Sequence, residues 1–465
     1  MGFGGDIAAT KRPPGRAPPI NDQHTALAAL TDDIKDTLVR FIGQKCHDLT
    51  VEIFAPGIII KLQFADPGLK FIVVTDVRGA DNGALFTHVL VLLETAAHIK
   101  GLSERGQIPL KGTTMTIPKT MSGVLLEGHG DLDQLRYRDD LAVPTPAEGE
   151  VLVRVGACAI NNTDINTRTG WYGDDGGDVE HTGETWAGQA MAFPRIQGAD
   201  VCGEIVAVGS SIDAERIGER ILVEPCMPKP GVTDRFDVHY FGSELDGGFA
   251  QFVCVPEIYA HKIDSPLNDA ELASFPCSYS TAENMLTRAG VKAGEKVLVT
   301  GASGGVGSAA VQLARRRGAR VTAVAGASKS HAVFNLGADS VIPRGSQLAE
   351  ALGLQSIDVV IDLVVGTDWP DLIDVLKRGG RYATAGAIAG PLVVLDVRKL
   401  YLKDLSFYGG TVLDPGVFAN LVTYIEAGEI KPLVAKTFPL AEIADAQDLF
   451  LEKKHTGKIV LIPPS

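Results

Sequence analysis

The sequence lacks a membrane-spanning run, a paired-cysteine motif and an excess of positive charge. Its most apolar stretch, residues 84–99, is interrupted by two histidines and a glutamate and falls short of the roughly 20 apolar residues that cross a bilayer. The six cysteines include no CxxC pair, so we expect free thiols in a reducing, cytoplasmic compartment. With 43 Lys and Arg against 57 Asp and Glu, the formal charge is −14. This charge argues against nucleic acid or an anionic membrane as a partner and favours a small molecule.

The first 114 residues differ in charge from the rest of the chain. Residues 1–114 balance acidic and basic side chains, so the whole negative excess lies in the remainder. Apolar spacing predicts one helix over residues 27–41 and a second over residues 84–99. Turn residues between these helices separate three expected strands, at residues 49–54, 58–64 and 69–77. These helices and strands predict a small α+β module. Because it carries no catalytic pattern, we assign it no role.

From residue 121 onward, the pattern indicates two further domains. Residues 121–270 hold short strands separated by turns, which is typical of a β-rich domain. Residues 271–411 alternate strands and helices, which predicts a doubly wound parallel sheet of the Rossmann type. Residues 412–465 return to strands around one helix and are expected to rejoin the β-rich domain. The predicted fold class is therefore α/β.

An apolar strand, a glycine turn and a helix follow one another over residues 296–316, which is the context that makes a glycine motif credible. Gly304 would let the backbone approach a pyrophosphate, and Gly307 would let the helix pack on the strand. The pattern is AxGxxG, because Ala302 stands at the first position of the usual GxGxxG fingerprint. The predicted cofactor-binding residues are Gly301, Ala302, Ser303, Gly304, Gly305, Val306, Gly307, Ser328, Lys329 and Gly386.

The end of the second strand indicates which dinucleotide fits. An NAD site usually has Asp or Glu about 20 residues after the turn, where it binds the ribose 2′-hydroxyl. Here the strand ends in a small turn that carries Ser328 and Lys329 and no acid. A hydroxyl and a cation suit a 2′-phosphate, so we predict NADPH as the cofactor. The alternative for Lys329 is a solvated surface lysine.

Several motifs stand in a fixed order along residues 121–465. They are NNTD at 161–164, RTGWY at 168–172, FPRIQGADVCGEIVAVG at 193–209, DGGFAQFV at 246–253, LGAD at 336–339, DVVID at 358–362, GGRY at 379–382 and TGKIVL at 456–461. This set resembles the medium-chain dehydrogenase/reductase superfamily, and in particular its zinc-free quinone oxidoreductase and enoyl reductase branch. The resemblance implies a GroES-like β-rich catalytic domain joined to a Rossmann domain. It also implies NADPH-dependent hydride transfer to an electron-poor quinone, enone or other conjugated carbonyl, and it leaves a homodimer open.

The resemblance also bears on metal binding, because zinc alcohol dehydrogenases belong to the same superfamily. Their first zinc ligand position resembles Asn161 here, and their Gly-His-Glu motif becomes Gly-Ala-Asp at 198–200. Cys277 still matches the position of a ligand thiolate, but one thiol cannot hold the metal. We therefore predict no bound metal. A weak site formed by Cys277, Asp200 and His181 is the alternative.

The resemblance suggests three catalytic candidates. Tyr172 matches a tyrosine proposed to protonate the substrate in enoyl thioester reductases, although it could instead be an aromatic residue packed at the domain edge. Asn161 is expected to orient the substrate or the nicotinamide, and Thr281 is a weaker candidate donor. Asp164 and Arg168 also match the family motif, and we favour a structural ion pair between them.

The stretch of residues 173–192 is rich in glycine and acid and is longer than this superfamily usually carries. It could form a lid in which Trp186 and Met191 cover an apolar substrate, or it could be a disordered acidic loop. Two functional alternatives to the reductase also stay open. One is a zinc alcohol dehydrogenase, and the other is a non-catalytic NADPH-binding protein that associates through its N-terminal module.

Overall fold

The chain divides into two compact units, Met1–Thr114 and Met115–Ser465. The computed structural model describes residues 117–173, 185–187, 190–229 and 231–465, together with four strands of the first unit. Those strands form an antiparallel sheet in the order β1-β2-β3-β4. They are β1 Asp48–Phe54, β2 Gly57–Gln63, β3 Leu69–Thr75 and β4 Val89–Thr95.

The first three strands confirm the strand predictions for this unit, but the helix predicted over residues 84–99 is wrong. Its central residues form β4, which pairs with β3 along its whole length, from Thr75 opposite Val89 to Leu69 opposite Thr95. The sequence of β4 is VLVLLET, an apolar run too short for periodicity to separate a helix from a strand. The helix predicted over residues 27–41 lies outside the described residues.

The second unit begins with a β-rich lobe. Its strands up to residue 262 are β5 Thr120–Leu126, β6 Leu135–Ala142, β7 Glu150–Ala159, β8 Arg195–Ile196, β9 Asp200–Val208, β10 Arg220–Val223, β11 Cys226–Pro228, β12 Val238–Tyr240, β13 Phe252–Pro256 and β14 Ala260–Lys262. The nucleotide lobe follows, with β15 Lys296–Val299, β16 Arg320–Ala325, β17 Ser340–Pro343, β18 Ile357–Asp362, β19 Leu376–Thr384 and β20 Ser406–Gly409. The chain closes with β21 Val434–Pro439 and β22 Lys458–Ile462.

Helices connect and cover these strands. In chain order they are α1 Asn162–Thr169, α2 Asp269–Leu272, α3 Pro276–Arg288, α4 Gly305–Arg316, α5 Ser330–Asn335, α6 Leu348–Leu352, α7 Trp369–Val375, α8 Val397–Leu402, α9 Val417–Glu426 and α10 Ile443–Leu451. Within the described part of the chain, no helix has the length and apolar character needed to span a bilayer.

The main sheet of the β-rich lobe has the order β14-β10-β9-β7-β22-β21, and β13 also pairs with β7. Strand β7 is central because its sequence, EVLVRVGACA, is almost entirely buried and has partners on both sides. The last strand, β22, pairs with β7 through Val460 opposite Ala159 and Leu461 opposite Cys158. The C-terminal segment therefore completes the lobe that residues 120–262 begin.

The nucleotide lobe contains a parallel sheet of six strands in the order β17-β16-β15-β18-β19-β20. Because every strand runs the same way, the carboxyl ends of β15, β16, β18, β19 and β20 lie along one edge. Ligands of doubly wound sheets bind outside this edge, at the point where the strand order reverses. Here the strand order reverses between β15, which is the first strand of this sheet in the chain, and β18.

Helix α3 leads from the β-rich lobe into the nucleotide lobe. It starts with proline at its first position, where the missing N–H costs nothing, and most of its residues are buried. It packs on α4, where the Gln312 side-chain amide donates to the Tyr279 hydroxyl at 2.8 Å. Its first turns carry Cys277, Ser278 and Thr281, so α3 presents polar side chains beside both lobes.

Candidate active site

The glycine turn after β15 has the backbone shape that a pyrophosphate needs. Gly301 adopts φ +58°, which only glycine takes up readily. A Cβ on Gly307 would lie 2.2 Å from the Gly301 carbonyl oxygen, so close packing of α4 requires glycine there. Gly304 caps α4 without any side-chain hydrogen bond, and a Cβ on it would meet only the Gly301 oxygen, at 3.5 Å. The first amides of α4 are therefore uncapped beside open space, as an anion site requires.

The loop after β16 holds Lys329 in a defined position. Its ammonium donates to the carbonyl oxygens of Lys453 and His455, each at 2.6 Å. Lys329 is half-buried, and the two carbonyls hold its ammonium in place. Ser328 beside it is exposed. Contact of either residue with a cofactor stays a prediction.

Two further cations surround Lys329, and sequence analysis missed both. Arg344 follows β17, where its backbone N–H binds the Ala325 carbonyl at 2.7 Å. Burial and the charge of Arg344 lower the pKa of Lys329. Desolvation and the charges of Lys329 and Lys458 lower the pKa of Lys453 to about 8. In the described part of the chain no carboxylate pairs with Lys329, Arg344 or Lys453, so this end of the cleft suits an anionic ligand.

The remaining predicted cofactor residues lie along the same carboxyl edge. Ala302, Ser303, Gly305 and Val306 belong to the turn and the first turn of α4. Gly386 follows β19, and a Cβ on it would meet only the Leu363 carbonyl oxygen, at 3.6 Å.

A buried ion pair occupies the polar centre of the β-rich lobe. Lys458 Nζ lies 2.7 Å from Asp200 Oδ2, and the two side chains are 4% and 0% exposed. Asn161 bridges them, because its Nδ2 donates to Asp200 Oδ2 at 2.9 Å and its Oδ1 accepts from Lys458. The backbone N–H of Cys277 donates to Asp200 Oδ1 at 2.5 Å, and Lys458 also reaches Ser278 Oγ at 3.3 Å. Each charged group in this centre is neutralised and hydrogen-bonded by its neighbours.

This network includes Asn161, Asp200 and Cys277, the residues that the sequence analysis compared with the ligands of zinc enzymes. Asp200 gives both carboxylate oxygens to protein donors. Burial raises the pKa of the Cys277 thiol far above its ordinary value, so this sulfur is protonated. Among the described residues, no group of three or more His, Cys, Asp or Glu side chains could hold a metal ion. His181, the third member of the alternative site, lies outside the described residues.

Tyr172 lies just beyond the helix that follows Asn161. Helix α1 ends at Gly170, which adopts φ 72°, and the chain then turns so that the Tyr172 hydroxyl meets Thr163 Oγ1 at 3.2 Å. Burial raises the pKa of Tyr172, and Cys277 and Asp164 lie close enough to add to this shift. The phenol is therefore protonated near neutral pH, as a proton donor must be.

The ion pair expected between Asp164 and Arg168 is wrong. Asp164 turns back to the start of its own helix, where Oδ2 accepts the Asn161 backbone N–H at 2.7 Å. Arg168 points away and donates to Gln447 Oε1 at 3.0 Å and to the Gly130 carbonyl at 2.6 Å. The helical spacing put the two residues on one face, but capping and tertiary partners satisfy each of them separately.

The other two catalytic candidates have different surroundings. Asn161 is buried, and both ends of its amide bind the ion pair, so its side chain is committed to Asp200 and Lys458. The Thr281 hydroxyl donates to the Cys277 carbonyl at 2.7 Å, one turn back in α3. Its hydrogen therefore serves the helix backbone rather than the cleft. Sequence analysis missed Lys458, although it stands in the quoted TGKIVL motif.

Only part of the stretch from residue 173 to residue 192 falls among the described residues. The Trp186 ring stacks on Tyr240, with ring centres 4.4 Å apart and planes 15° from parallel. Met191 is buried. The lid and the disordered loop considered for the rest of this stretch concern residues outside the described ones.

Comparison with known proteins identifies both lobes. The alcohol dehydrogenase GroES-like domain matches residues 147–265, which lie in the β-rich lobe. The zinc-binding dehydrogenase family matches residues 336–461, from the nucleotide lobe to β22.

Three relatives each align with about three quarters of the chain. A putative alcohol dehydrogenase from Sinorhizobium meliloti 1021, known from its crystal structure, is 48% identical, with 75% of this chain and 98% of that chain aligned at a TM-score of 0.71. Human quinone oxidoreductase is 27% identical over 361 residues, which are 74% of this chain and 98% of that protein. The chloroplastic NADPH-dependent alkenal/one oxidoreductase of Arabidopsis thaliana is 29% identical over 354 residues, 75% of this chain and 81% of that protein.

The buried ion pair predicts strong coupling between its two members. Lys458→Met leaves the Asp200 carboxylate buried without its cation, and Asp200→Asn leaves the ammonium without its anion, so each variant should lose about 3–5 kcal/mol of unfolding free energy. The double variant buries no lone charge and should lose at least about 2 kcal/mol less than the sum of the two. Urea denaturation of the four proteins measures this coupling. Lys454→Met, which removes an exposed partner of Glu452, is the control and should change little. Additive losses would contradict the coupling.

Asp164 predicts a pH dependence of stability. Burial raises its pKa from 3.8 to about 7. An acid whose folded pKa is raised stabilises the fold fully below its unfolded pKa, and this contribution disappears as pH rises through the folded value. Asp164→Asn stays uncharged, so its melting temperature minus that of the wild type should increase from pH 5 to about pH 7 and level off toward pH 8. The measurement is thermal unfolding of both proteins at each pH. A constant difference across that range would show that Asp164 does not titrate there.

Proposed function

Because the chain belongs to the medium-chain dehydrogenase/reductase superfamily and is an oxidoreductase, we propose that it reduces a quinone, enone or other conjugated carbonyl with NADPH and without zinc. The observation that carries the proposal is the Lys458–Asp200 ion pair. It fills and neutralises the polar centre that a metal would need as a ligand set. The reaction must then use an acceptor that needs no Lewis acid.

Conjugated acceptors meet that requirement. When bound, the nicotinamide supplies a hydride, and one further proton completes the conversion of a quinone to a hydroquinone or of an enone to a saturated ketone. The anion formed after hydride transfer is delocalised, so hydrogen-bond donors can stabilise it without a metal. Tyr172 is the donor that we assign to this proton, since its phenol is protonated and only half-buried. The phenol donates its hydrogen to Thr163 Oγ1 at 3.2 Å, so the hydroxyl must turn from Thr163 to the substrate when it gives up the proton.

NADPH is favoured over NADH by the charges around the loop after β16. Lys329, Arg344 and Lys453 form a cluster without a carboxylate among the described residues, and burial, followed by repulsion between neighbouring cations, lowers the pKa values of Lys329 and Lys453. A 2′-phosphate would supply that charge, whereas a ribose hydroxyl would not. The relative in Arabidopsis thaliana that is named for NADPH and alkenals supports the same choice.

Two alternatives remain distinguishable from the proposed reductase. A zinc alcohol dehydrogenase would contain stoichiometric zinc and would lose activity with a chelator. A non-catalytic NADPH-binding protein would bind NADPH but would not oxidise it, whichever acceptor is added. The human relative named quinone oxidoreductase supports the reductase over both.

The cofactor assignment predicts that NADPH binds at least about tenfold tighter than NADH, because one charge-assisted contact contributes roughly 1.5 to 3 kcal/mol. Lys329→Glu places a carboxylate where a 2′-phosphate would lie and should reverse the preference. Titration of both cofactors into the wild type and the variant measures it. Arg398→Glu, on an exposed helix of the same lobe, is the charge-matched control and should keep the wild-type ratio. Equal or tighter NADH binding by the wild type would overturn the assignment.

The proton donor predicts a selective loss of rate. The assay follows NADPH oxidation with quinones, enones and simple aldehydes, with and without a chelator, and we expect turnover of the first two classes that the chelator leaves unchanged. Tyr172→Phe should lower turnover of enones by about 10²-fold or more, which is the usual contribution of a positioned acid. Quinones should lose less, because their reduced oxygens can take protons from water. Tyr401→Phe removes an exposed hydroxyl and serves as the control. A silent Tyr172→Phe would make the tyrosine a packing residue.

A further inference from the structure

The sheet order fixes which end of the cleft receives the substrate, given the proposed function. The cation cluster lies beyond β16 and the glycine turn lies beyond β15, so a dinucleotide held by both would extend from β16 across β15 toward β18. Its nicotinamide end would then lie near the ends of β18 and β19. The next carboxyl end in the sheet belongs to β20. Residues beside the loop after β20 are thus placed at the substrate end.

The loop after β20 is held firmly by both lobes. Asn284 of α3 donates from Nδ2 to the Val412 carbonyl at 3.0 Å and accepts the Asp414 backbone N–H at 2.9 Å. Leu413 is buried in the same hydrophobic cluster as Cys226, which belongs to β11 of the β-rich lobe. The paired strands β11 and β12 therefore stand against the substrate end of the nucleotide lobe.

An aromatic stack stands at this place. Tyr240, the last residue of β12, pairs with Cys226 across the two strands and is 1% exposed. The indole of Trp186 lies flat on the Tyr240 ring and remains half-buried. Cys277 of α3 lies near both Tyr240 and Tyr172, since it is among the groups that add to the raised pKa of each phenol. The stack and the assigned proton donor therefore flank the same turn of α3.

Two side chains hold this stack in position. Glu244 accepts the Ala187 N–H through Oε1 and the Tyr240 N–H through Oε2, both at 2.9 Å. Ser243 Oγ accepts the backbone N–H of Trp186 at 3.1 Å. One carboxylate thus fastens both backbone segments, so the indole is positioned before any substrate arrives. A positioned aromatic surface binds without the entropy cost of ordering it.

We propose that Trp186 determines substrate specificity, because its indole forms an aromatic wall at the substrate end of the cleft. A flat acceptor with fused rings can lie against this wall. A small acyclic enone has too little flat surface to gain from it. The substrate class of the proposed reductase is therefore a polycyclic quinone or aryl enone.

The test compares 1,4-naphthoquinone with but-3-en-2-one as acceptors for NADPH oxidation. Trp186→Ala should raise KM for naphthoquinone about tenfold with kcat little changed, since loss of an aromatic contact and its buried area is of that size. KM for butenone should change less than twofold. Trp186→Phe keeps a ring and should recover most of the loss. Phe236→Ala removes a 64% exposed aromatic residue from the same lobe and should alter neither acceptor.

Equal effects of Trp186→Ala on both acceptors, or no effect on either, would overturn the inference while leaving the reductase intact. Calorimetric titration of naphthoquinone into the protein with NADP⁺ gives a readout independent of turnover. Tenfold weaker binding by Trp186→Ala supports the aromatic wall even if neither acceptor is reduced, a result that would contradict the proposed function alone. Equal binding by both proteins, or no binding to the wild type, would overturn the wall.

Discussion

The polar centre of the β-rich lobe depends on one constraint, which is that Lys458 and Asp200 must be buried together or not at all. Either charge alone would be costly in that position, because protein dipoles replace water poorly around a lone ion. Sheet register brings the two together, since Ala159 of β7 stands opposite Asp200 on one side and opposite Val460 on the other. The polar centre is therefore complete only when the last strand of the chain has joined the first lobe. This explains why the C-terminal segment returns across the whole nucleotide lobe.

The same segment also reaches the dinucleotide site. A Cβ on Gly305 would lie 2.5 Å from Ser278 Oγ and 3.1 Å from Lys458 Cδ, so Ser278 and the lysine stem leave little room for a side chain at the start of α4. Five and three residues before Lys458, the carbonyls of Lys453 and His455 hold Lys329 from the loop after β16. Residues 453–458 thus contact the charged end of the nucleotide site, the glycine turn and the polar centre. A shift of this segment would move all three at once.

The sequence predicted those features whose signals are local. The glycine turn, the strand alternation and the missing acid after β16 are all readable within about 30 neighbouring positions, the size of one βαβ unit. The hydrogen-bonded network around the ion pair was not predictable in this way, because Asn161 and Lys458 stand 297 positions apart and only the sheet register joins them. The expected Asp164–Arg168 pair shows the opposite error. A local helical rule favoured it, while the structure gives Arg168 a partner 279 positions away. The strand β4 was missed because a short apolar run fits either periodicity.

The neutralised centre also limits what chemistry this lobe can provide. Lys458 and Asp200 cancel each other's charge, and both ends of the Asn161 amide form hydrogen bonds with them. The Thr281 hydroxyl donates to its own helix. The polar group that remains at the edge of this network is the Tyr172 phenol, which is joined to Thr163 rather than to the ion pair. A phenol can deliver a proton or a hydrogen bond, but it cannot polarise an unactivated carbonyl as a cation would. An acceptor suited to these residues must therefore carry its own electron deficiency. This is the physical reason for placing conjugated carbonyls, rather than simple alcohols and aldehydes, in the proposed reaction.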